Sequence, residues 1–116
     1  MTRIWRITLA FLLCVVTWLA LMPGPPPQAD LGWDKLNHLA AFSILAVVAL
    51  LAFGFAWARI AAALLAYGAL IEVLQSFTPT RSAEWVDLLA DSIGIAAGLL
   101  LTKLVMRVTT RRSRPE

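Results

Sequence analysis

Six polar residues of this 116-residue chain fall at spacings that chemistry can use: Asp34 and His38 four apart, Glu72 and Gln75 three apart, Asp87 and Asp91 four apart. Side chains three or four positions apart share one face of an α-helix, so each pair presents its polar groups together. Histidine exchanges protons near neutral pH, and a neighbouring carboxylate acts as a base or orients the ring. Lys35 and Arg81 add positive charge, and the arginine fork suits bidentate capture of phosphate or carboxylate. No Ser or Cys poised as a nucleophile accompanies the group. Two chemistries fit: capture of a ligand by Asp34, Lys35, Gln75, Arg81 and Asp91, or acid–base catalysis by His38, Glu72 and Asp87. A metal held by His38, Glu72, Asp87 and Asp91 is a variant, but the mixed spacing matches no recognised ligand signature, and neither metal nor cofactor is assigned.

The elements that carry these residues are apolar. Hydrophobic residues make up 60% of the chain and charged residues 15%, and the mean hydropathy is +0.79, values of an integral membrane protein rather than a soluble domain. The reading is an all-α, single-domain bundle of four transmembrane helices over residues 1–116, at about 4–22, 35–58, 60–77 and 85–106, followed by a basic tail at 107–116. The first run, with Arg6 snorkelling, reaches spanning length and meets Pro23-Gly24-Pro25-Pro26-Pro27, which reads as a membrane helix ended by proline rather than a cleaved signal. Cys14 lies within that run, where packing is its expected role. Gly94 and Gly98 form a G-x-x-x-G pattern that admits close approach of another helix, of the same chain or of a second copy.

Lys and Arg divide eight to two between the sides: Arg3, Arg6, Arg59, Lys103, Arg107, Arg111, Arg112 and Arg114 against Lys35 and Arg81. The positive-inside rule then puts both termini in the cytoplasm and the polar residues at the outer face. The basic tail fits that rule, and nucleic acid is not an expected partner. Each polar residue also has a structural reading. His38 can bond a neighbouring helix, Glu72 can pair with His38, Arg81 or Lys35, and Gln75 can bridge helices. Arg81 can anchor its loop and Asp87 can cap the fourth helix, while Glu84 reads as solvated and Trp33, Trp57 and Trp85 as interfacial anchors. Glu72 lies about five residues from its helix end, roughly 7 Å deep, where a lone carboxylate is expensive.

Four ordered motifs carry a resemblance: D-K-x-x-H-x-x-x-F at Asp34, Lys35, His38 and Phe42; I-E-x-x-Q at Ile71, Glu72 and Gln75; P-x-R-x-x-x-x-x-D at Pro79, Arg81 and Asp87; and G-x-x-x-G at Gly94 and Gly98. Over about Asp34 to Leu101 the chain resembles the VanZ-like family of small bacterial membrane proteins, with Asp91 standing where members commonly carry Asn. The resemblance implies a multi-pass protein of the bacterial cytoplasmic (inner) membrane, and the family's namesake is linked to low-level teicoplanin resistance. Two readings stay open: a binding protein whose outward-facing polar site holds a membrane lipid or lipid-linked envelope precursor, and a membrane-embedded hydrolase or transferase acting on an outer-leaflet lipid phosphate. A transporter is disfavoured, because four helices leave little room for alternating access. The charge division sets the first test: alkaline phosphatase fused to the C-terminus should be inactive, and an active fusion would place that end outside.

Overall fold

Why the helices end where they do is visible at Gly54. In the computed structural model, which describes residues 1–23, 34–54, 56–79 and 84–112, the described chain is helical in four elements: α1 (Thr2–Leu21), α2 (Asp34–Phe53), α3 (Trp57–Gln75) and α4 (Trp85–Arg112). All four are long and apolar enough to cross a membrane. The sequence carries the second helix on to Ala58, but α2 stops at Phe53 because Gly54 takes a positive φ of 72°, the left-handed conformation that terminates helices. Its amide N–H donates to the Leu50 carbonyl at 2.7 Å, and α3 accordingly starts at Trp57, three residues earlier than the apolar pattern suggests. At the other limit, α4 runs past Met106 to Arg112. Its 28 residues span about 42 Å, more than the roughly 30 Å of hydrocarbon, so the last turns lie among the arginines of the tail.

α2 and α3 each pack against the other three helices, α2 the more extensively, whereas α1 touches only α2 and α3. Phe42, Leu45, Ala46, Ala49 and Ala52 bury almost completely on α2. The apolar faces of Ile7, Phe11, Leu70, Val73, Ile93 and Leu100 stay exposed, as lipid-facing residues of a bundle must, because lipid rewards close packing rather than burial of oil. Cys14 is exposed too, so its expected packing role is not realised within the chain. On α1 the main polar fastening is Thr17, whose hydroxyl lies 2.8 Å from the Tyr67 hydroxyl of α3, while both also reach the Leu13 carbonyl.

The closest approach is between α2 and α4. A Cβ built on Gly94 would lie 2.5 Å from the Leu39 carbonyl oxygen, and one on Gly98 2.5 Å from that of Ser43. Backbone meets backbone there, which only glycine permits. The Ser43 hydroxyl, 2.8 Å from the Leu39 carbonyl and 3.0 Å from that of Gly94, is a donor shared across the contact. Both glycines of the motif thus face α2 of the same chain. Replacing Gly98 with Leu should destabilise the fold by at least about 1–3 kcal/mol, the usual penalty for overpacking; thermal unfolding in detergent checks it, and an unchanged melting temperature would show that Gly98 does not carry the contact.

Candidate functional site

The C-terminal ends of α1 and α3 and the N-terminal ends of α2 and α4 gather at one end of the bundle, tied by the Gln75 amide on the Ala20 carbonyl and by Lys35 on Glu84. The opposite end holds Arg6, whose Nε donates to the Ala52 carbonyl and whose guanidinium lies over Phe53, and Lys103, over Trp57. Register at the first end follows from the glycine contact. With Gly94 seated on Leu39, the preceding turn of α4 lies beside His38, and the His38 Nδ1 sits 2.8 Å from Asp91 Oδ1. An ionised Asp91 can only accept, so in this pairing the proton is on Nδ1. The His38 Nε2 is 3.8 Å from Asp87 Oδ2, too far for a direct hydrogen bond.

Asp87 continues the chain of charges toward the surface. Its Oδ1 lies 2.7 Å from the Lys35 ammonium, which is also 2.5 Å from Glu84 Oε2. The order is graded by burial: Asp91 is 0% exposed and Asp87 3%, while the Glu84 side chain is 49% exposed. From α3, Glu72 enters the same group. Its Oε2 accepts the Glu84 backbone N–H at 2.9 Å, so a carboxylate on one helix satisfies an amide at the start of the next, where unsatisfied N–H groups and the positive helix end both favour an anion. One ligating atom each of His38, Glu72 and Asp91 lies within 4.8 Å of the other two.

Of the residues singled out by spacing, His38, Glu72, Asp87 and Asp91 come together and Lys35 closes their outer side. Gln75 stands apart in function: its Nε2 braces α1, and its buried Oε1 has no hydrogen-bond partner among the described residues. Arg81 and the Asp34 side chain lie outside the described residues. One partner of Glu72 among the described residues is a group not expected for it. It is the main-chain amide of Glu84, a donor that every residue type carries and that no sequence pattern marks.

Gly68 is the residue that spacing did not single out. A Cβ there would lie 2.8 Å from Asp91 Oδ2 and 3.3 Å from Phe42 Cζ, so α3 makes room for the Asp91 carboxylate by lacking a side chain. It stands four residues before Glu72 and hence on the same helix face, but nothing local distinguishes it from any other glycine of a membrane helix. Gly68→Ala should cost about 1–3 kcal/mol in the native background and clearly less beside Asp91→Ala. A double-mutant cycle by thermal unfolding measures the difference; strict additivity would separate the two residues.

No curated protein and no solved structure matches the chain. The VanZ/LLP1 family model matches residues 6–106, a stretch that reaches into all four helices and contains the whole histidine–carboxylate group together with its glycines. With most of its length in that match, the chain belongs to the VanZ/LLP1 family.

Proposed function

We propose that this VanZ-like membrane protein binds a lipid-linked or anionic component of the cell envelope at its polar end. One observation carries the reading: four ionisable side chains from three apolar helices converge beneath one end of the bundle, with Asp91, Asp87 and Glu72 all buried. Each carboxylate placed at such depth opposes membrane insertion, by up to about 2.5–3.5 kcal/mol at the centre of a bilayer. Isolated helix caps would not need to share a site. An open trough of about 710 Å³, lined by Leu13, Cys14, Thr17, Trp18 and Leu21 of α1, runs to the same end, a surface suited to an acyl or prenyl chain whose headgroup lies at the polar cluster. Lys35, its side chain 18% exposed, supplies positive charge at the rim, an arriving phosphate would exchange with the exposed Glu84, and Arg81 is the second cation that the sequence offers to the ligand.

The division of Lys and Arg supports a cytoplasmic position for both termini and an outward-facing site in the inner membrane. The link of the family's namesake to teicoplanin makes glycopeptide sensitivity and envelope homeostasis the phenotypes to follow. A second reading has its own observation: a buried aspartate holding a histidine ring is the arrangement that orients a general acid or base. On that reading His38 acts as acid or base, Glu72 or Asp87 as base, and the outer-leaflet lipid phosphate is hydrolysed or transferred.

Native mass spectrometry of the protein purified in detergent tests the proposal. Wild type should retain a phospholipid or polyprenyl species, and Glu72→Gln should keep the melting temperature within a few degrees while retention falls at least about tenfold, equivalent to ~1.4 kcal/mol. Equal retention by both would remove Glu72 from the site, and conversion of the retained species on incubation would favour the enzyme.

A further inference from the structure

We infer that His38, Glu72 and Asp91 form a binding site for one divalent transition-metal ion. Their ligating atoms all lie within 4.8 Å of one another, although they come from three different helices. Metal–ligand bonds of about 2.0–2.2 Å in a tetrahedral site place ligand atoms about 3.3–3.6 Å apart. The three side chains therefore need to close by up to about 1.5 Å on one another, a shift that their rotatable bonds can supply. Helices of a packed bundle hold such a constellation more firmly than loops do.

A second observation concerns the Glu72 carboxylate of this group. Glu72 is only 8% exposed, and its Oε1 is buried with no hydrogen-bond partner among the described residues, while Oε2 is spent on the Glu84 amide. A buried carboxylate oxygen left in this way is costly unless a cation meets it. Lys35, the cation of this end among the described side chains, is engaged by Glu84 and Asp87. Glu72 and Asp91 consequently face each other and His38, and two like charges at this separation in an apolar surrounding repel strongly. A dication removes the repulsion and fills the coordination of Glu72.

The donor set selects the ion. One imidazole and two carboxylates suit Mn²⁺, Fe²⁺, Co²⁺ or Zn²⁺, whereas Mg²⁺ and Ca²⁺ favour oxygen ligands alone. Three protein ligands leave at least one position for water or an anionic oxygen. Where the amphiphile reading holds, that position gives a phosphate headgroup an attractive centre inside a ring of carboxylates, so this last consequence rests on that reading while the metal site does not.

The test uses the full chain in detergent, stripped with a chelator and then titrated with Mn²⁺ or Zn²⁺ alone. Calorimetry and elemental analysis after desalting should give one ion per chain. Glu72→Gln, which keeps the acceptor for the Glu84 amide, and Asp91→Asn should each weaken binding at least tenfold, and the nitrogen coupling in the electron spin resonance of bound Mn²⁺ should vanish in His38→Gln. Melting temperatures of the metal-free variants separate lost ligation from lost folding. No ion retained by folded wild type, or the same affinity in folded Glu72→Gln and Asp91→Asn, would overturn the site. Lipid retention, measured on the same samples without metal, reports separately on the amphiphile reading.

Discussion

Everything at the polar end depends on how closely α4 can approach α2. Helices in lipid gain little from hiding apolar surface from water, so their association rests on dispersion and on backbone proximity. Gly94 against Leu39 and Gly98 against Ser43 supply that proximity and fix both distance and register. One methyl group at either glycine would meet a carbonyl oxygen at 2.5 Å, and the displacement that follows would be felt first by the His38–Asp91 pair, held at 2.8 Å one turn away. Small residues in the spans and charged residues near their ends are therefore parts of one device.

The buried charges are handled in an order that follows the dielectric gradient. Glu84 meets water, Lys35 bridges it to Asp87, and the deepest carboxylate, Asp91, holds His38. Glu72 joins from α3 by accepting the Glu84 amide, which couples the end of one span to the start of the next. Removal of a single member leaves its neighbour charged and dry, the situation in which buried ion pairs lose most. Replacement of several members together would relieve that burden.

Much of this was legible in the sequence, for reasons that differ by residue. Four apolar runs with proline and polar breaks announce four helices, and G-x-x-x-G announces a close contact, because composition and spacing act directly on those features. His38, Glu72, Asp87 and Asp91 stand out because charge is rare in such surroundings. Three things had no local signal. Gly54 ends α2 through a backbone angle, within a run whose hydropathy continues. The donor to Glu72 is a main-chain group, so the identity of Glu84 said nothing about it. Gly68 serves a carboxylate 23 positions away, and one glycine in a membrane helix looks like any other until the partner helix is in place. The exposure of Cys14 belongs with these, since an apolar helix carries no mark of which face meets lipid.

The position of α4 in the chain has a consequence for biogenesis. A ribosome delivers α1, α2 and α3 to the membrane first, with His38, Lys35 and Glu72 already on them and with neither Asp87, Asp91 nor the Glu84 amide yet made. Until the fourth span arrives, the carboxylate of α3 lacks the Glu84 amide and the histidine of α2 lacks Asp91. Without the fourth span, α3 is favoured at a shallow depth where water can still reach Glu72. Arrival of α4 seats its glycines and closes the charge ladder in the same event, so close packing and charge pairing are gained together.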